Sequence, residues 1–143
     1  MALFPTSPTA SSIKITSISP TLTSVTHSLK RQARQRGGQR WALELDYPPM
    51  TRAEFAPLFA FSVAQKGQYQ TFTYQPPIYS DTSGTATGTL LVNNASGYSV
   101  GDSTVATDGL TGTLKAGDFI KFAGHDKVYM LTADGSTTLT IEP

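Results

Sequence analysis

A mainly β protein, a β-sandwich or sheet carrying one amphipathic helix plus a small antiparallel β-barrel-like module, is the fold class predicted for this 143-residue chain. Three observations predict it. Hydrophobic residues make up 38% and charged residues 15%, and the remainder is rich in Ser, Thr, Gly and Pro, which favour strands and turns over helices. Several short runs alternate apolar with polar residues, the period of a half-buried strand. One stretch alone, between Met50 and Gly67, changes to helical spacing.

The opening Met1 to Ser11 is small, polar and proline-bearing, which predicts an extended arm. Its Leu3 and Phe4 need a surface to bury against, and a neighbouring subunit is the expected one. Ile13 and Ile15 alternate with polar residues in a first strand, and Val25 to Lys30, past the Pro20 turn, is read as a second. Lys30 to Arg40, KRQARQRGGQR, is polar and ends in Gly37-Gly38, which predicts a turn or flexible tip between strands. Trp41, Leu43, Leu45 and Tyr47 then fall on one face of the clearest strand, with Arg40, Glu44 and Asp46 on the other, and Pro48-Pro49 ends it.

A helix follows. Thr51 and Glu54 have capping-box spacing, Met50 and Phe55 form a hydrophobic staple, and Phe55, Leu58, Phe59, Ser62 and Val63 recur at helical intervals up to Gly67. Pro57 should kink this helix or delay its start, because proline lacks the backbone donor. Phe61 breaks the stripe, which marks it as an exposed subunit contact. The other aromatics, from Trp41 to Tyr74, are expected in the core.

Gln68 to Tyr74 reads as another strand. The predicted organisation is an arm at 1–11, a sheet-plus-helix, ring-forming module at 12–78, a linker at 79–88 rich in Ser, Thr and Gly, and a small β module at 89–143. Within that module a short strand spans Thr89 to Asn93, followed by a Gly, Asn and Asp loop. Phe119 to Ala123, Lys127 to Thr132 and Thr138 to Ile141 complete a four-stranded antiparallel set.

Composition excludes several classes. There is no cysteine, so disulfides, thiolate metal sites and thiol nucleophiles are ruled out. No apolar run approaches the length of roughly 20 residues that spans a bilayer, and the N-terminus lacks a signal-peptide pattern, so a soluble, non-exported protein with no membrane partner is expected. The net charge of +1 conceals a dipolar chain. Up to Ile78, eight basic residues face three acids, a net +5; beyond it, three lysines face seven acids, a net −4. Such asymmetry suits head-to-tail or ring association of identical copies.

Catalytic signatures are thin. His27 and His125 are the only histidines, and neither stands in a recognisable nucleophile motif. Glu44 and Asp46 are the minimum set for glycoside hydrolysis, but on a strand face an ion-pairing role fits them better. No enzyme, cofactor or metal site is expected. Lys30, Arg31, Arg34, Arg36 and Arg40 form a basic run without interleaved aromatics, which reads as a solvated loop or an interface patch, with transient contact to DNA as the alternative.

The block RWALELDYPPMTRAEFAPLFAFSVAQKGQYQTFTYQPP resembles bacteriophage tail and baseplate proteins of the distal tail, or tail hub, type. LKAGDFIKFAGHDKVYMLTADGSTTLTIEP looks like the small β modules of virion structural proteins. The resemblance implies a non-catalytic virion subunit, made in the host cytoplasm, that forms a hexameric or otherwise cyclic collar beside other phage tail proteins and near DNA in the tail lumen. The competing readings are a head-to-tail connector, a host-surface carbohydrate-binding module and a small cell-wall hydrolase.

Overall fold

The computed structural model describes residues 2–142, so Met1 and Pro143 lie outside the description. The chain divides into two compact units, Met1–Gln75 and Pro76–Pro143. It is mainly β with a single helix, as the composition predicts, and the second unit is built on a curled five-stranded antiparallel sheet.

In the first unit, β2 (Ser12–Ile18) pairs antiparallel with β5 (Arg40–Asp46), and β3 (Thr21–Val25) pairs antiparallel with β4 (Arg31–Gln35). The two ladders are successive parts of one long hairpin. They are separated where Ser19 and Pro20 on one strand face the longer Arg36 to Gln39 on the other. Gly37 and Gly38 take up the extra length at φ 74° and 77°, a conformation that side chains other than glycine rarely adopt, and the Arg36 N–H reaches the Pro20 carbonyl at 3.0 Å.

Cross-strand register explains the sequence pattern of the base. Ile13 faces Leu45, Ile15 faces Leu43 and Ser17 faces Trp41 on the apolar side, while Lys14 faces Glu44 on the polar side. Beyond the bulge the sequence reading needs correcting. Lys30 to Arg40 is not a loop: Arg31–Gln35 is a strand, and the strand expected at Val25 to Lys30 lies earlier, at Thr21–Val25. Thr26 to Lys30, including His27, forms the turn, closed by a 3.1 Å bond from the Thr26 N–H to the Lys30 carbonyl.

The helix α1 (Arg52–Ala64) starts at the predicted cap. The Glu54 carboxylate accepts hydrogen bonds from the Thr51 N–H and hydroxyl, both at 2.8 Å, and these bonds hold its pKa below the usual carboxylate value. Pro57 neither delays the start nor ends the helix, which runs through it to Ala64. Only Phe72–Thr73 of the expected strand at Gln68 to Tyr74 forms, as β6, and it pairs in parallel with β1 (Ala2–Leu3).

The second unit's strands lie in the order β7 (Thr87–Val92), β8 (Thr104–Thr111), β11 (Thr138–Glu142), β10 (Val128–Leu131) and β9 (Phe119–Lys121). Its core is Val105, Leu114, Ile120, Leu131, Leu139 and Ile141. Strand β8 falls where the sequence reading placed a loop. Its Asp108-Gly109 resembles a turn signal, but Gly109 serves a close strand approach: a Cβ there would come within 2.4 Å of the Thr89 carbonyl oxygen, next to the register shift between Gly88 and Leu91.

The 79–88 segment is not a free linker either. Tyr79 packs edge-on against Phe119, and the Thr85 N–H bonds to the Thr113 carbonyl at 3.0 Å. The buried Asp118 carboxylate accepts from the Thr82 hydroxyl, the Ser83 N–H and hydroxyl at 2.9 and 2.8 Å, and the Lys115 N–H at 3.0 Å. Four donors thus converge on one carboxylate, which straps the segment to the sheet.

Candidate assembly surfaces

Burial is unevenly divided between the units. Among the described residues, seven apolar side chains are buried, and six of them belong to the second unit; Leu58 is the only one in the first. The first unit therefore leaves most of its apolar side chains uncovered, and two surfaces account for much of this.

The first surface is the outer side of α1. Leu58 and Gln65 are buried and Phe61 is half-buried, so the helix packs through that side. Phe55 and Phe59, 48% and 57% exposed, stack on each other at 5.5 Å on a different side, with Val63 equally open. Of the predicted stripe Leu58 is buried, whereas Phe55, Phe59 and Val63 are exposed and Phe61 takes the packed side instead. Phe61 is not a free contact: its ring meets Phe4 at 5.3 Å and Phe72 at 5.4 Å. The physical reason is that α1 is apolar around most of its circumference, so spacing alone did not say which side faces inward.

Phe4 also departs from expectation. It packs against Phe61, Phe72 and Tyr74 of its own unit, and its N–H bonds to the Thr73 carbonyl at 2.8 Å. The arm is thus docked within the chain through Phe4, and a neighbouring subunit is not required to order it. Leu3 remains 61% exposed beside it. Burial, and secondarily the closeness of Tyr74, raises the pKa of the Tyr47 phenol; burial also raises that of Tyr74.

The second surface is the β3–β4 ribbon. Every residue of both strands is exposed, so neither face is covered. Leu22 faces Arg34 across the ladder and Val25 faces Arg31, which puts one arginine on each face. Arg36 lies in the bulge and Arg40 faces Ile18 in the base. The predicted basic cluster is therefore distributed along the hairpin, and none of these four arginines has an ion-pair partner among the described residues. At the tip Leu29 is 85% exposed with φ 61°, an uncommon conformation for a bulky side chain.

The residues weighed for catalysis have structural partners. Glu44 pairs with Lys14 at 3.0 Å, and Asp46 accepts from the Ser12 hydroxyl at 2.7 Å. His125 accepts the Lys127 N–H at Nδ1, 3.0 Å away, and its Nε2 lies 3.2 Å from the Tyr129 hydroxyl. Phe122 flanks this pair in a shallow depression formed with Lys121, Gly124 and Asp126. Lys115 and Asp134 meet at 2.6 Å, which raises the lysine pKa and lowers the carboxylate's through the shared hydrogen bond. Among the described residues no three His, Asp or Glu side chains gather into a metal-binding group, and no helix is long and apolar enough to cross a membrane. No protein-family profile matches the chain, and no curated protein sequence matches it.

Proposed function

We propose that this chain is a non-catalytic structural subunit that self-associates into a ring or collar, and, following the resemblance of its sequence blocks, that the collar belongs to a phage tail or baseplate among other tail proteins. The observation that carries the first part is the uncovered first unit, in which one apolar side chain among the described residues is buried while a stacked Phe55–Phe59 pair and a two-stranded ribbon face solvent. A helix that is apolar on several sides is normally buried on several sides, and an isolated two-stranded ribbon is marginal in water. Assembly supplies the missing cover for both. The unequal charges of the two units favour a head-to-tail contact, which closes into a ring when the rotation between copies permits.

The unpaired arginines of the ribbon favour a second reading, a connector that touches DNA in a lumen. The two readings separate on the helix. In the double variant Phe55→Ser with Phe59→Ser, self-association should weaken by about tenfold or more, because each buried Phe contributes about 1.5–3 kcal/mol. The monomer fold should persist, since both rings lie outside the packed side of α1. Unchanged oligomer size by light scattering, with salt-sensitive DNA retention intact, would favour the connector.

A further inference from the structure

We infer that the β3–β4 ribbon of one copy docks on the acidic second unit of the next copy, so that each subunit contributes a basic hairpin and receives one. This deepens the self-association reading and rests on it. Three observations carry the inference.

The first is charge. Ser19 to Gln39 holds Lys30, Arg31, Arg34 and Arg36 and no carboxylate. The acids of its own unit are already engaged: Glu44 by Lys14, Asp46 by Ser12 and Glu54 by the helix cap. In the second unit Asp81, Asp102, Asp108 and Glu142 are exposed and have no ion-pair partner among the described residues, with the Asp102 and Asp108 carboxylates accepting only the backbone N–H groups of Ser99 and Gly109.

The second observation is where those acids lie. On β8, Val105 and Thr107 point into the core, so Asp108 takes the outward face, opposite the exposed Leu91 on the edge strand β7. On β11, Leu139 and Ile141 point inward and Glu142 outward. The Ile141 N–H bonds to the Ser103 carbonyl at 2.7 Å, which brings Glu142 to the end of β8 where Asp102 lies. The outward face therefore bears acids towards both ends. Asp108 lies on β8 and Asp102 two residues before its start at Thr104, and because Arg31 and Arg34 take opposite faces of the ribbon, one ribbon face at a time meets this surface.

The third observation is the tip. Leu29 holds a left-handed backbone while 85% exposed, and Leu22 and Val25 are 57% and 63% exposed between the arginines. Nucleic acid offers such aliphatic side chains little, whereas a protein face with Leu91 at its edge offers contact area.

The test is mutual complementation by charge reversal. Variant one carries Arg31→Glu, Arg34→Glu and Arg36→Glu; variant two carries Asp102→Lys, Asp108→Lys and Glu142→Lys. Each alone should self-associate about a hundredfold more weakly than the unaltered chain, since like charges then face each other. Mixed in equal amounts, they should recover assembly with the two variants alternating, because the acidic ribbon of variant one meets the basic sheet of variant two and the basic ribbon of variant two meets the acidic sheet of variant one. Circular dichroism controls for folding, and the single change Arg34→Glu paired with Asp108→Lys replaces any triple that fails to fold. An unaltered chain that assembles while both reversed variants assemble equally well would overturn the docking but leave self-association standing. Assembly lost in each variant without recovery on mixing also overturns the pairing of these two surfaces. Loss of DNA retention in variant one, with its oligomer unchanged, would assign the ribbon to nucleic acid instead. If the unaltered chain is monomeric, both readings fall.

Discussion

Leu139→Ala should lower the stability of the second unit by about 3–5 kcal/mol, the upper part of the range for truncating a buried leucine. Leu139 is fully buried, in the middle of β11, which lies between β8 and β10 at the centre of the sheet. Its neighbours Leu131, Val105 and Ile141 sit on strands fixed by ladders on both sides, so they have little freedom to collapse into the cavity. Because small domains are held by only about 5–15 kcal/mol in total, much of the unit's margin would be lost. Urea denaturation followed by circular dichroism measures it. A cost below about 1 kcal/mol would mean that the sheet does not pack as described.

Asp118→Ala is expected to be nearly as damaging, by about 2–4 kcal/mol, through a different mechanism. Removal of the carboxylate strands the Ser83 and Lys115 N–H groups and frees the Thr82–Ser83 strap from the sheet. The same group predicts a pH dependence. Burial alone raises the Asp118 pKa, but the bonds from Ser83, Thr82 and Lys115 outweigh it and hold the pKa below the ordinary value. A carboxylate with a depressed folded-state pKa stabilises the fold fully above its unfolded pKa of about 3.9, and that contribution is lost as pH falls through the lower folded value. Unfolding free energies of the unaltered chain and Asp118→Asn should therefore differ most near neutrality and converge in strong acid. A constant difference at every pH would show that the charge of Asp118 is not what the strap requires.

The elements legible in the sequence are those in which one periodicity had no rival. Ile13, Ile15, Leu43 and Leu45 alternate cleanly, and the β2–β5 pairing follows that pattern. Thr51 and Glu54 mark the start of α1 because capping is local chemistry. The ribbon strand Arg31–Gln35 was illegible for the opposite reason: with both faces exposed it carries no apolar alternation, and Gly37-Gly38 imitates the end of a loop. Strand β8 was hidden by Asp108-Gly109, whose glycine meets a close backbone approach that only a partner strand reveals. Phe61 and Phe4 were misplaced because an all-round apolar helix and a short arm say what must be buried without saying against what. The hydrogen bonds around Asp118 join residues 36 positions apart, beyond any local pattern, although the Ser- and Thr-rich stretch supplying the donors was visible.

Self-association is tested most directly by sedimentation of the unaltered chain over a dilution series. The uncovered helix and ribbon predict a discrete multimer at high concentration that dissociates towards the 15.3 kDa protomer on dilution, and more readily at high salt because charges hold part of the contact. A single 15.3 kDa species at every concentration and salt would contradict the account.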